Sequence, residues 1–131
     1  MISKKMKKET KKEEAKKFKI GIVDDHVQTA ISISQMLEYN RFETFQIYNS
    51  KDVVKTCLEE NPDLILMDIR MDGADGYELA KQLSDYKIMI MSGYEMDGEK
   101  ISKLKNVVDR IQKPIDINVL LTKIRMVLKN S

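Results

Sequence analysis

The stretch "LILMDIRMDGADG", residues 64–76, decides the fold. It begins with four apolar residues and leads directly into Asp68. A short, uninterrupted apolar run is typical of a strand that is covered on both faces of its sheet. Beyond Asp68 the segment carries two more acids, Asp72 and Asp75, each followed by a glycine. We therefore expect a buried strand that ends in a carboxylate and leads into a loop of small residues.

Segments of two kinds alternate on both sides of this stretch. Predicted strands lie at 18–23, 43–48, 63–67, 87–91 and 107–112. Predicted helices lie at 28–39, 51–60, 76–86, 97–106 and 116–130, and Ser50 is the expected N-cap of the second. Apolar strands that alternate with helices form parallel sheets covered on both faces. We therefore predict an α/β protein with a doubly wound, five-stranded parallel sheet.

The composition is that of an ordinary globular domain. With 131 residues, 42% of them hydrophobic and 34% charged, the chain is long enough for one domain around one core. No apolar run approaches the ~20 residues of a membrane span, and the N-terminus has no apolar segment of the signal-peptide type. The single cysteine, Cys57, cannot form an internal disulfide and is expected to lie half-buried on a helix. We therefore expect a cytoplasmic protein.

Residues 1–17 form a separate, basic Lys/Glu-rich extension. They hold eight Lys and three Glu, a net charge of +5, whereas residues 18–131 hold 15 basic and 18 acidic residues, a net of −3. Two interpretations stay open: a solvated or helical addition to the domain, or a segment attracted to nucleic acid or anionic lipid. The three Glu and the lack of aromatic residues favour the first, so we expect no nucleic-acid partner.

Polar side chains stand at the carboxyl ends of four predicted strands. The first strand ends in Asp24 and Asp25, the third in Asp68, the fourth in Ser92 and the fifth in Lys113. In an open parallel sheet these ends meet at the edge where such sheets bind ligands. Carboxylates without a His/Cys set suit a hard cation such as Mg²⁺, which also bridges to phosphate oxygens. A carboxylate can in addition attack a phosphoryl donor and form an acyl phosphate.

This set of residues resembles the receiver domain of two-component response regulators, and the resemblance covers about residues 18–130. It is carried, in order along the chain, by Asp24-Asp25, the segment "DIRMDGADG", Ser92-Gly93 and Lys113-Pro114. The resemblance implies a flavodoxin-like (βα)5 fold with strand order 2-1-3-4-5. It also implies that the receiver domain spans residues 18–131, beyond the basic extension.

The resemblance implies a Mg²⁺ site built from the acidic residues. Asp68 would be the phosphoryl acceptor and, together with Asp25, a direct ligand of the ion. Asp24 would bind the ion through water, and the backbone carbonyl of Arg70 would supply a further ligand.

Two more residues would contact the phosphoryl group itself. Lys113 would pair with one phosphoryl oxygen, and Ser92 would donate its hydroxyl to another and move when Asp68 is phosphorylated. The Lys113–Pro114 peptide bond would be cis. His26 is the only histidine and adjoins the acidic pair, but we expect no catalytic role for it.

The function implied by this resemblance is that of a stand-alone response regulator. A sensor histidine kinase or phosphotransfer protein would phosphorylate Asp68, and the added charge would shift an equilibrium at the face of the fourth helix, fifth strand and fifth helix. Beyond self-catalysed phosphotransfer and autodephosphorylation the chain would not be an enzyme. Because the chain ends soon after the last helix, output would be a protein–protein contact, a relay to another histidine, or the basic extension.

The sequence departs from the family pattern at three points. Asp72 stands where a proline is usual, Arg110 stands where the family has its switch aromatic, and the 24-residue spacing from Asp68 to Ser92 is shorter than usual. An arginine should not bury its charge unpaired, so activation would be transmitted differently, with Tyr94 as a candidate substitute. Arg110 and Asp72 favour an alternative function, a receiver-fold binding module that works without phosphorylation. The complete set of Asp24, Asp25, Asp68, Ser92 and Lys113 argues against it.

Two other classes fit the residues less well. Phosphohydrolases with an aspartyl intermediate generally carry a second acid two residues beyond the nucleophile, where this chain has Arg70. A calcium-binding hand counted from Asp68 needs oxygen ligands at its third and twelfth positions, which are Arg70 and Leu79 here.

Overall fold

The computed structural model describes residues 17–71, 73–93 and 96–129. Its strands are β1 (Lys19–Val23), β2 (Glu43–Ile47), β3 (Leu64–Asp68), β4 (Arg70–Met71), β5 (Ala74–Asp75), β6 (Ile88–Ser92) and β7 (Val107–Gln112). Its helices are α1 (Val27–Tyr39), α2 (Val53–Glu60), α3 (Gly76–Gln82), α4 (Gly98–Ser102) and α5 (Ile117–Lys129), with a short 3₁₀ turn at Ser50–Asp52. The basic extension, apart from residue 17, lies outside the described residues, as do Asp72 and Tyr94.

Five of the strands form one parallel sheet in the order β2-β1-β3-β6-β7. Counted along the chain within this sheet, the order is 2-1-3-4-5, which confirms the predicted flavodoxin-like topology. The chain adds β2 on one side of β1 and then places β3, β6 and β7 on the other. The direction in which strands are added to the sheet therefore reverses between β1 and β3. In open α/β sheets, ligands usually bind in the crevice beyond the carboxyl ends of the two strands at such a reversal.

Apolar side chains cover both faces of the sheet. Because successive strand residues point to opposite faces, Leu64 and Leu66 join a buried cluster with α1 and α5, whereas Ile65 and Met67 join a second cluster with α2 and α3. Every residue of β3 is buried. This two-sided burial explains why the apolar run of β3 is uninterrupted.

The segment after β3 is a small hairpin rather than the open loop that we expected. Strands β4 and β5 pair antiparallel, and Gly73 occupies the turn with a φ of 70°. A side chain at Gly76 would place its Cβ 2.6 Å from the carbonyl oxygen of Ile69, so only glycine fits there. The backbone N–H of Gly76 donates to that same carbonyl at 3.2 Å. The glycines thus serve the local turn and the start of α3.

The N-cap predicted at Ser50 is wrong by one residue. Asn49 caps this segment, because its side-chain oxygen accepts a hydrogen bond from the backbone N–H of Asp52 at 3.0 Å. Ser50 is instead the first residue of the 3₁₀ turn that precedes α2.

Helices α3 and α4 are shorter than predicted. The side-chain amide of Asn106 donates to the carbonyls of Ala80 and Leu83, at 2.9 and 3.0 Å, and so satisfies the acceptors at the end of α3. Since this contact joins residues 23 and 26 positions apart, helical periodicity could not indicate it. Among the described residues, no helix is long and apolar enough to cross a bilayer.

Cys57 is fully buried, which corrects the prediction of a half-buried residue. It lies in α2 within the second core cluster. Burial raises the pKa of its thiol to about 12, so the thiol is protonated and chemically inert at neutral pH.

Candidate functional site

Lys113, Asp24 and Asp68 meet at the carboxyl edge of the sheet. The Nζ of Lys113 lies 2.7 Å from Oδ2 of Asp24 and 2.9 Å from Oδ2 of Asp68. The Asp24 side chain is fully buried, that of Asp68 is 9% exposed and that of Lys113 is 21% exposed. The three charges therefore form a mostly buried network with one cation and two carboxylates.

The sheet register places the two aspartates side by side. Val23 of β1 pairs with Met67 of β3, so that Asp24 and Asp68 are the next residues on adjacent strands. Lys113 follows β7, and its backbone N–H donates to the carbonyl of Ser92 at 2.8 Å. The cluster therefore depends on contacts between residues 45 and 89 positions apart in sequence.

Each of these carboxylates is also held by its own loop. Oδ1 of Asp24 accepts a hydrogen bond from the backbone N–H of His26 at 2.9 Å, and Oδ1 of Asp68 accepts one from the backbone N–H of Arg70 at 3.0 Å. Both are local turns in which an aspartate bonds the backbone two residues on. The carboxylates are thus oriented before any ligand binds.

Burial by itself would lower the pKa of Lys113. The hydrogen bonds to Asp24 and Asp68, together with their negative charges, outweigh this and raise the pKa of Lys113 above its ordinary value. Lys113 is therefore a fixed ammonium ion that neutralises part of the acidic cluster at neutral pH.

Three aspartates and one histidine converge at this edge. One carboxylate oxygen each from Asp24, Asp25 and Asp68, and one ring nitrogen of His26, all lie within 4.8 Å of one another. The Asp25 side chain is 25% exposed, so that the cluster is accessible from solvent on that side. Three carboxylates at one solvent-facing edge fit Mg²⁺, which prefers oxygen ligands and keeps several waters. His26, for which we expected no catalytic role, belongs to this cluster, and its place beside the acidic pair was the available signal.

Ser92 and Lys113 lie at the carboxyl ends of β6 and β7. Ser92 is the last residue of β6 and is 3% exposed. Asp68 pairs with Met91 of the neighbouring strand, so Ser92 lies one residue beyond the partner of Asp68. The Lys113–Pro114 peptide bond is cis, as expected.

Arg110 lies exposed on β7, at the edge of the sheet. Its neighbour Asp109 forms an ion pair with Lys123 of α5, with 3.2 Å between Nζ and Oδ1. Arg110, Asp109 and Lys123 line a cleft of about 740 Å³ between β7 and α5. The guanidinium thus stays in solvent, in agreement with the expectation that its charge would not be buried.

One link between α3 and α4 was not predicted. The hydroxyl of Tyr77 accepts a hydrogen bond from the backbone N–H of Asp97 at 3.0 Å, and the ammonium of Lys100 lies 5.2 Å from the centre of the Tyr77 ring. Tyr77 lies in α3 just after the β4–β5 hairpin, and Asp97 caps α4, so the Tyr77 side chain joins the two helices. No local pattern in the sequence indicates such a contact.

Comparison with characterised proteins identifies relatives over most of the chain. The sporulation initiation phosphotransferase F of Bacillus subtilis (strain 168) is 31% identical over 105 residues, covering 76% of this chain and 85% of that protein. Protein PilH of Pseudomonas aeruginosa is 31% identical over 117 residues, covering 84% of this chain and 97% of that protein.

Solved structures show the same fold. A CheY-like response regulator receiver domain protein from Methanospirillum hungatei superposes with a TM-score of 0.80 at 25% identity, over 88% of this chain and 96% of that one. The N-terminal domain of the nisin resistance regulator NsrR, a lantibiotic response regulator, gives a TM-score of 0.77 at 27% identity, over 86% of this chain and 99% of that one. The profile of the response regulator receiver domain family matches residues 20–125. Because the family profile matches most of the chain, and because these relatives and the parallel sheet agree with it, the chain belongs to the response regulator receiver family of two-component signalling.

Proposed function

We propose that this receiver domain is a Mg²⁺-dependent phosphoacceptor in which Asp68 receives the phosphoryl group. The observation that carries the proposal is the buried contact of one ammonium, that of Lys113, with the carboxylates of both Asp24 and Asp68. A cation held between two carboxylates is positioned to pair with a phosphoryl oxygen once Asp68 is modified. An ion pair with only a structural role would not need the third carboxylate, that of Asp25, nearby.

The proposed reaction is transfer from a phosphohistidine donor. A carboxylate oxygen of Asp68 forms a bond to phosphorus while the P–N bond to the donor imidazole breaks, and the imidazole leaves with that electron pair. Asp25, Asp68 and the Arg70 carbonyl would hold Mg²⁺ directly and Asp24 would hold it through water, and the ion would offset the charge of the carboxylates and the phosphoryl oxygens.

Two residues of this chain assist the transfer. The Lys113 ammonium stabilises the charge that develops on one phosphoryl oxygen, and the Ser92 hydroxyl donates a hydrogen bond to another. The backbone N–H of Arg70 keeps the Asp68 carboxylate oriented toward the donor.

The proposed partners are a sensor histidine kinase or a phosphotransfer protein as donor, and a protein target for output. Receiver domains interact with such donors, and a sporulation phosphotransferase is among the relatives. For output, we propose the surface formed by α4, β7 and α5, where the cleft beside Arg110 lies.

The test is the intact mass of the protein after incubation with a small-molecule phosphodonor and Mg²⁺. The wild type should gain one phosphoryl group, as should Asp85→Asn, a control at an exposed aspartate remote from the cluster. Asp68→Asn should gain none. Labelling of Asp68→Asn to the level of the wild type would refute the acceptor assignment.

A second candidate function is a binding module that works without phosphorylation. The exposed guanidinium of Arg110, at the position of the family's switch aromatic, favours it. Absence of labelling from both the small-molecule donor and a panel of histidine kinases would select this function. Mass gain on the wild type and on Asp85→Asn, but not on Asp68→Asn, would select the phosphoacceptor. Arg110→Tyr would then test whether this position affects output.

A further inference from the structure

We infer that His26 is a fourth side-chain ligand of this metal site, which thereby binds a divalent transition-metal ion such as Zn²⁺ more tightly than Mg²⁺. The inference rests on the proposed metal site at Asp24, Asp25 and Asp68 and extends its ligand set. It assigns the ring nitrogen of His26 a coordinating role that the phosphoacceptor chemistry does not require.

The geometry around the ring supports this role. Nδ1 of His26 lies 3.4 Å from Oδ1 of Asp25 and 3.6 Å from Oδ1 of Asp24. These distances exceed those of ordinary hydrogen bonds, about 2.7–3.2 Å. With Zn–ligand bonds of about 2.0–2.2 Å, two ligands of one tetrahedral ion lie about 3.3–3.6 Å apart. The separations of 3.4 and 3.6 Å agree with this spacing.

The ring of His26 has no helix-capping role. His26 is the N-cap residue of α1, yet its side chain makes no hydrogen bond to that helix. Its backbone N–H, in contrast, is held by Oδ1 of Asp24 at 2.9 Å. The main chain therefore holds the Cα of His26 beside Asp24 and Asp25. The His26 side chain is 77% exposed, so its ring can rotate toward a shared ion.

The Lys113 ammonium and the His26 ring occupy different positions around the carboxylates. The ammonium contacts the Oδ2 oxygens of Asp24 and Asp68, whereas His26 faces Oδ1 of Asp24 and Oδ1 of Asp25. The cation and the imidazole thus approach the buried Asp24 carboxylate at different oxygens. An ion beside Asp25 and His26 can therefore coexist with the Lys113 contacts.

The chemistry of the donor set explains the expected preference. Mg²⁺ prefers oxygen ligands and retains several waters, so it gains little from one imidazole. Zn²⁺ and its neighbours in the first transition row bind imidazole nitrogen and carboxylate oxygen together. The imidazole nitrogen that joins three carboxylates should therefore make the site bind Zn²⁺ more tightly than Mg²⁺.

The test uses untagged protein labelled with ¹⁵N-histidine, because His26 is the only histidine and gives the only ring nitrogen signals. One equivalent of Zn²⁺ should shift the Nδ1 resonance in the manner of direct coordination, and Mg²⁺ alone should not. Asp25→Asn should abolish the shift, whereas the control Asp85→Asn should keep it. By calorimetry, His26→Gln should weaken Zn²⁺ binding by about tenfold or more and leave Mg²⁺ binding within about twofold.

Three results would overturn the inference. Zn²⁺ that competes with Mg²⁺ for the cluster without moving the ring signal would remove His26 from the site but leave the proposed phosphoacceptor intact. A ring shift that persists in Asp25→Asn would show an isolated surface histidine instead of a shared site. Failure of both ions to bind would overturn this inference and the Mg²⁺ part of the proposed function together.

Discussion

Replacement of Lys113 by methionine should destabilise the protein by about 2–4 kcal/mol when divalent cations are absent. Methionine keeps an unbranched side chain, one atom shorter than that of lysine, but removes its charge. The fully buried carboxylate of Asp24 and the 9%-exposed carboxylate of Asp68 then lose a cation at 2.7 and 2.9 Å. Removing one partner of a buried ion pair costs about 3–5 kcal/mol, and the partial exposure of Lys113 lowers the expected loss to the range given.

The assay is urea unfolding, followed by circular dichroism in the presence of a chelator. With a slope of about 1.5 kcal/mol/M, a loss of 3 kcal/mol would lower the unfolding midpoint by about 2 M. Lys123→Met is the matched control, because its ion pair with Asp109 spans 3.2 Å between side chains that are each 32% exposed. This exposed pair should contribute less than about 1 kcal/mol. Equal losses in the two variants would refute the view that Lys113 holds a buried network.

The pH dependence gives a second check on Lys113. Because the pKa of Lys113 is raised in the folded protein, its stabilising effect is complete below its ordinary value of 10.5. The effect is lost as the pH rises through the folded-state value. The difference in unfolding free energy between wild type and Lys113→Met should therefore stay constant from neutral pH to 10.5 and shrink above it. Cys57 also titrates in this alkaline range, but its contribution is common to both proteins and cancels.

Two further predictions concern the core. Cys57 should resist alkylation at neutral pH in the native protein and react fully in urea, because burial raises the pKa of its thiol to about 12; fast native labelling, measured by mass, would contradict its placement. Gly21→Ala should cost about 1–3 kcal/mol in urea unfolding, because the new Cβ would lie 2.5 Å from Cζ of Phe45. The control is Gly98→Ala in α4, where nothing lies within 4 Å of the new Cβ, and it should be neutral or stabilising by up to about 1 kcal/mol. A larger loss of stability at Gly98 than at Gly21 would show that crowding against Phe45 does not determine the cost.

The sequence by itself predicted the architecture and much of the site. The uninterrupted apolar run before Asp68 indicated a strand buried on both faces, and β3 is buried throughout. Alternation of such strands with helices indicated a parallel sheet, and in parallel sheets the carboxyl ends share one edge. Asp24, Asp68 and Lys113 could therefore be grouped in advance, although they lie up to 89 residues apart. This inference succeeded because the apolar runs and their alternation with helices can be read from the sequence, and strands joined through helices pair in parallel.

Only the tertiary structure decided how individual side chains are used. The end of α3 depends on the amide of Asn106, the role of Gly76 depends on the carbonyl of Ile69, and the burial of Cys57 depends on packing of α2 against the sheet. The approach of His26 to the acidic cluster depends on the turn that Asp24 forms with its backbone N–H. Each of these contacts requires a distance between atoms set by the packed chain. Local periodicity therefore predicts which elements form, and packing determines which side chains meet.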